Sequence, residues 1–188
     1  KYFFKENSGA GASRNFGMQN ASGNYFIILD SDVLVPSPYL SEVKKALEHN
    51  FTDAFGGPDA AHKSFTVLQK AINYAMTSVF GLSQTAFTKT DGFSDLKIGE
   101  DIDLTFRLWQ NGFETQLIEK AFVYHKRRSS MQQFFKQTFA FGAGRPKLNK
   151  RYPGSAKPTY WFPSLFILGI AFSIVLAAFG FNEFMYFY

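Results

Sequence analysis

The sequence predicts an α/β domain, a sheet flanked by helices, followed by one apolar helix long enough to cross a membrane. Three observations predict it. The run Tyr25-Phe26-Ile27-Ile28-Leu29 is continuously apolar and stops at Asp30-Ser31-Asp32, as a strand buried on both faces of a parallel sheet does. Segments of helical period alternate with short strand-like runs up to the basic stretch near residue 150, the order that marks an α/β sheet. From Trp161 to Phe181 no residue carries a formal charge, and about 20 such residues cover the hydrocarbon layer as a helix.

Taken in order, Lys1 to Phe4 reads as a short strand, Ala12 to Asn20 as a helix, and Asn24 to Leu29 as the second strand. Ser37 as N-cap with Pro38 at the first helical position announces a helix to about His49, because proline's missing N–H costs nothing there. Residues 64–80 predict a third, less regular helix. Ile102, Thr105, Phe106 and Trp109 mark one face of a fourth, closed by Gly112 just past its end. A strand pair is expected around Gln116 to Ile118 and Ala121 to Tyr124. Met131, Phe134, Phe135, Thr138 and Phe139 then keep helical spacing into the basic stretch. The domain is expected over 1–152, a hinge over 153–160, the membrane helix over 161–181 and an interfacial tail over 182–188.

At 188 residues the chain is about one domain. It does not begin with Met and reads as a piece of a longer protein. There are no cysteines, which excludes disulfides and thiolate metal sites. The net charge of +5 alone separates no partner class. Its distribution says more: Lys126, Arg127, Arg128, Lys136, Arg145, Lys147, Lys150, Arg151 and Lys157 crowd into one stretch before the uncharged segment. Acidic lipid headgroups account for them more simply than nucleic acid, and the positive-inside tendency places residues 1–157 on the cytosolic side.

Four constellations carry chemistry. Asp30 and Asp32 sit beyond the carboxyl end of a strand, where open α/β sheets bind ligands. Two residues apart on extended backbone they point the same way, so one can hold Mg²⁺ or Mn²⁺ while the other reaches a ribose hydroxyl. The same Asp-Ser-Asp, with Pro36 following, also suits a plain turn, and spacing alone favours the turn. Glu100, Asp101 and Asp103 open the fourth helix; acids there complement the helix dipole, yet three in four positions exceed what a cap needs, and one can act as general base. His125 ends a strand beside cations that suit a diphosphate, and imidazole is a competent Mn²⁺ ligand. A structural histidine fits the same position, and His49 and His62 read as surface residues. The fourth is the small-residue loop from Asn7 to Asn15, which lets backbone amides approach a phosphate at a helix N-terminus.

Asn7-Ser8-Gly9, Ser13-Arg14-Asn15-Phe16-Gly17, Ala21-Ser22-Gly23 and Leu29-Asp30-Ser31-Asp32, in that order, resemble family 2 glycosyltransferases. Gly99-Glu100-Asp101-Ile102-Asp103-Leu104 with Arg107 is similar to that family's second acidic motif, and Val123-Tyr124-His125 to its following strand. The resemblance covers roughly residues 1–150. It implies a GT-A-type fold, a mixed and mostly parallel sheet flanked by helices, which in this family usually begins with a strand-helix-strand unit that this chain starts after. It also implies roles. Asp32 would ligate the divalent metal (Mn²⁺ or Mg²⁺) and His125 would sit by that metal or the diphosphate. Asp30 would lie near the ribose, and Asn7, Arg14, Asn15 and Arg128 near the nucleotide-sugar donor. Asp101 would be the catalytic base and Glu100 would help orient the acceptor, a glycan or lipid-linked hydroxyl. The stretch from Asn73 to Phe93 looks compressed where the family carries a strand and a substrate loop. Gln137 and Arg145 echo a Gln-Arg element of polymerising members, but no Arg-Trp pair accompanies them. The alternatives are an inactive membrane-bound scaffold of the same fold and a nucleotidyltransferase, which would show a basic, glycine-rich loop after its first strand.

Overall fold

The computed structural model describes residues 2–60, 80–125 and 130–180, and divides the chain into two compact units, Lys1–Pro146 and Lys147–Tyr188. In the first unit the order is α1 (Ala10–Gln19), β1 (Tyr25–Ile28), β2 (Val33–Leu34), α2 (Tyr39–His49), β3 (Ala54–Gly56), β4 (Phe80–Ser83), α3 (Gln84–Thr90), α4 (Glu100–Gln110), β5 (Thr115–Leu117) and β6 (Tyr124–His125). The helix α5 (Met131–Arg151) runs across the boundary, with Pro146 inside it, and α6 (Phe162–Ala178) lies in the second unit.

A four-stranded sheet of order β1-β4-β3-β5 and a two-stranded ribbon β2-β6 organise the first unit. The sheet is mixed: β4 runs antiparallel to both β1 and β3, and β5 parallel to β3. Antiparallel pairings outnumber the parallel one among the described residues, because β4 enters between two strands that run against it. The period of two along each strand sorts side chains into two cores. Phe26, Leu82 and Ala54 lie in one row across the sheet and bury against Met18, Ala86, Phe93, Leu104 and Leu108 of the α1, α3 and α4 side. Tyr25, Ile27 and Phe55 face the other way, against Tyr39 and Val43 of α2 and against Ile118, Ala121 and Val123. A slip of one residue would exchange the two sets, so the register is strongly specified. Burial pushes the Tyr39 phenol up to about 12.

Several expectations from the sequence are met with shifted edges, and several are corrected. The helix expected from Ala12 is α1, and the second strand is β1. The helix α2 starts at Tyr39, with Pro38 as its N-cap and no side-chain cap; Ser37 does not cap it, since the first turn closes on the Pro38 carbonyl through Glu42 N–H at 2.9 Å. The side-chain cap lies elsewhere, at Ser83, whose hydroxyl accepts the Ala86 N–H of α3 at 3.1 Å. On α4 the buried face is Leu104 and Leu108 with Asp103, not the face marked by Trp109, which is 53% exposed. Two leucines one turn apart bury fully at about 2 kcal/mol each, and that burial sets the helix rotation.

Of the strand expected at Lys1 to Phe4, the described residues form none: residues 2–9 carry no regular secondary structure, and no described strand offers them a ladder. The expected strand pair at 116–124 does not form either. A turn closed by Ala121 N–H on the Ile118 carbonyl at 3.0 Å separates β5, which joins β3, from β6, which joins β2. The stretch expected to be compressed holds β4 and α3 from Phe80 onward, while the third predicted helix, 64–80, lies outside the described residues except for Phe80, which opens β4 instead. The tail 182–188 also lies outside them.

In the second unit, Pro158–Ala178 forms a 21-residue apolar helical stretch of mean hydropathy 2.1. It is the one helix among the described residues long and apolar enough to cross a membrane, and only 6% of its apolar window is buried.

Gly81 has a steric duty that tests the sheet. It lies in the centre of β4, and a Cβ there would sit 2.1 Å from the Phe55 ring, which is 1% exposed. Gly81→Ala is expected to lower stability by about 1–3 kcal/mol through overpacking, read as a shift in the urea midpoint of the protein in detergent. An unchanged midpoint would show that the ring moves aside at no cost.

Candidate active site

The strand β1 ends at Ile28, and the chain turns at once: Val33 N–H donates to the Asp30 carbonyl at 3.3 Å. The turn reading of Asp30-Ser31-Asp32 and the ligand reading are therefore compatible. Just beyond, β2 pairs with β6 so that Val33 stands opposite His125. That register brings the imidazole beside the residue preceding Val33, with His125 Nε2 3.0 Å from Asp32 Oδ1. One ligand atom each from Asp30, Asp32 and His125 lies within 4.8 Å of the others. The donor set fits a divalent cation. Two hard carboxylates and an imidazole suit Mn²⁺ or Mg²⁺, and the two aspartates are about half exposed, so water and phosphate oxygens can complete the shell.

Arg14 ties this cluster to the N-terminus of α4. Its guanidinium donates to Asp30 Oδ1 at 3.1 Å and to Glu100 Oε1 at 2.8 Å, and lies 5.2 Å from the centroid of the Phe93 ring. Burial acts to lower the Arg14 pKa, but hydrogen bonds and charges from Asp30 and Glu100 outweigh it and raise the value. The side chain is thus held as a cation between two acids. Its platform is built by Asn15, whose Nδ2 donates to the Phe93 carbonyl at 2.8 Å while its Oδ1 accepts the Phe93 N–H at 2.8 Å. Gly92 makes this clasp possible: it has φ +63, and a Cβ would lie 2.4 Å from Asn15 Oδ1. Asn7 Oδ1 accepts the Gly9 N–H at 3.1 Å, an Asx turn that leads into α1. Asn7 therefore shapes the loop that enters α1, and Asn15 the one that carries Phe93 against Arg14.

The three acids of α4 divide their duties. Glu100 holds Arg14. Asp103 is fully buried and receives Arg107 Nε at 2.9 Å. Arg107 in turn donates to the carbonyls of Thr90 and Gly92, where α3 ends and cations are favoured by the helix dipole. Asp101 is exposed; its carbonyl accepts the Thr105 hydroxyl at 2.9 Å, and no side-chain partner of its carboxylate appears among the described residues. Arg128 falls in 126–129, outside the described residues.

Two functional features were not read from the sequence. Asp59, with a side chain 1% exposed, lies 3.4 Å from His125 Nδ1, and the Phe93 ring supports Arg14. The signal for Asp59 was available as an acid three residues past Ala54–Gly56, a strand too short to show its period.

A mixed sheet flanked by helices, with its acidic cluster beyond a strand's carboxyl end, is the architecture of GT-A-type glycosyltransferases. Staphylococcus aureus TarS residues 1–349 match it with a TM-score of 0.52 at 19% identity, over 75% of this chain and 46% of that one. The same S. aureus protein solved with UDP-GlcNAc matches with a TM-score of 0.51 at 20% identity, over 65% and 40%. An uncharacterized glycosyltransferase of Rickettsia conorii is 44% identical over 50 residues, 27% of this chain and 8% of that protein. The chain thus spans less than half the length of each of these relatives. The sequence pattern of Glycosyl transferase family 2 matches residues 1–113, and the chain belongs to that family.

The frame beneath the site is testable. Arg107→Met is expected to cost about 3–5 kcal/mol, because it leaves the buried Asp103 carboxylate without its guanidinium. Thermal unfolding of the protein in detergent measures it, and a melting curve superimposed on wild type would remove this pair from the frame.

Proposed function

We propose that the protein transfers a sugar from a nucleotide-sugar donor to a hydroxyl acceptor, with inversion at the anomeric carbon. The observation that carries this reading is the link through Arg14 between the Asp30–Asp32–His125 cluster and the α4 N-terminus, where Asp101 is exposed. Asp32, His125 and Asp30 would hold a divalent cation, which when bound offsets charge growing on the leaving diphosphate. Asp30 would also meet the ribose, and Arg14, Asn7 and Asn15 the nucleotide. Asp101 takes the proton of the acceptor hydroxyl as its oxygen bonds the anomeric carbon and the bond to the diphosphate breaks. Glu100, anchored by Arg14, orients the acceptor. Arg128 belongs to the donor side by sequence position.

The apolar helix α6 supports attachment to a membrane, and the basic residues before it support a cytosolic face and contact with acidic lipid. A lipid-linked or cell-envelope glycan follows as the acceptor class. The division into a catalytic domain over residues 1–152, a hinge over 153–160 and a membrane helix over 161–181 belongs to the same reading.

Calorimetric titration of the protein in detergent with UDP, GDP and dTDP, with and without Mn²⁺, tests the reading. Metal-dependent binding of one nucleotide supports it and names the donor class, with UDP first in view of the TarS complex. No binding by folded protein would favour an inactive scaffold. Asp32→Ala is expected to weaken Mn²⁺-dependent nucleotide binding about tenfold or more; unchanged Mn²⁺ dependence counts against its role as ligand. Asp101→Asn is expected to lower kcat by about 10²–10⁴ while donor affinity stays within about twofold. Turnover near wild type in that variant would remove Asp101 as the base.

A further inference from the structure

We propose that Asp59 is the positioning residue of the metal site: its buried carboxylate accepts the His125 Nδ1–H and so turns the Nε2 lone pair toward Asp30 and Asp32. The inference rests on the proposal that those three residues hold a divalent cation, and deepens it. The two carboxylates on the cation side are about half exposed, whereas the Asp59 side chain is 1% exposed. A carboxylate that deep costs several kcal/mol of lost hydration unless a donor faces it, and the donor 3.4 Å away is His125 Nδ1.

Backbone geometry holds the pair in place from both sides. Asp59 forms a parallel bridge with Val123, where Ala60 N–H donates to the Val123 carbonyl at 2.8 Å and Val123 N–H to the Pro58 carbonyl at 3.2 Å. His125 is two residues past Val123, hence on the same side of the extended chain. The β2–β6 register then fixes the opposite edge of the ring against Asp32. The imidazole is clamped with one nitrogen toward a buried acid and the other toward the exposed acidic turn. Of the two neutral tautomers, the one with Nδ1 protonated satisfies Asp59 and leaves Nε2 as the ligand. A carboxylate behind a ligating imidazole also raises its basicity and fixes its plane.

The test uses Mn²⁺ alone with the whole chain in detergent. Loss of the free-ion electron paramagnetic resonance signal gives the affinity, and pulsed modulation from ¹⁴N reports whether an imidazole is bound. Wild type is expected to bind Mn²⁺ with ¹⁴N modulation. Asp59→Asn is expected to weaken binding about 10- to 100-fold and to diminish that modulation. In a His125→Ala background the same change should weaken binding no further, since its effect passes through the ring. Equal weakening in both backgrounds, or wild-type affinity and modulation in Asp59→Asn, would overturn the role. A measurement that needs no variant is ¹⁵N-histidine resonance of the Mg²⁺-loaded protein: Nδ1–H is expected on His125, and Nε2–H would overturn the proposal. Absence of Mn²⁺ binding by wild type removes the metal reading and this role together; binding with ¹⁴N modulation that Asp59→Asn leaves intact removes the Asp59 role alone.

Discussion

Arg14 is the constraint on which the arrangement of the site depends. Its guanidinium reaches Asp30 on one side and Glu100 on the other, two acids drawn from the end of β1 and the start of α4. Without a cation between them, these carboxylates would converge on one cleft and repel each other. With it, the turn after β1 and the first turn of α4 are held at a common edge. Because Arg14 is half-buried and paired twice, it loses more on displacement than an exposed ion pair would. Its seat on the Phe93 ring adds a cation–π contact, and the two-way clasp of Asn15 on the Phe93 backbone keeps that ring from drifting.

Beneath this edge, the Asp103–Arg107 pair does for α3 and α4 what Arg14 does for the turn and α4. It fastens the last carbonyl of α3, at Thr90, and that of Gly92 just beyond to the helix that bears Asp101. The two acids flanking Asp101 on α4 are thus spent on structure, and the third remains exposed at the same helix end. Rigid supports thus surround one exposed carboxylate.

The alternation of strands and helices, the β1 strand, α1, α4, α5 and the apolar helix were all legible in the sequence, because each carries its own period or its own hydropathy. The short strands were not. β3 has three residues and β6 has two, too few for a period to appear, and β4 carries Gly81 where a strand pattern expects a side chain. The rotation of α4 differs from the face that Trp109 and Phe106 suggest, because their rings meet each other edge to face at 5.7 Å while the leucines take the core. At the site, Asp30, Asp32, Glu100 and His125 were named from their residue types and positions, and Arg14 from the family resemblance. That Asn15 serves the Phe93 backbone, and that Asp59 stands behind His125, had no signal of comparable strength.

By itself the sequence determined the inventory: which acids, which histidine and which cation are present, and that an uncharged helix follows a basic stretch. It could do so because chemistry and hydropathy are properties of residues and of short windows. Only the tertiary structure decided which of these groups meet. His125 reaches Asp32 because β6, more than ninety positions along in the chain, pairs with β2 in one particular register. Asp59 reaches the same ring because its backbone bridges Val123. Register and long-range pairing are fixed by burial of two opposing faces of a sheet, a property of the whole packed sheet that no local window of residues contains.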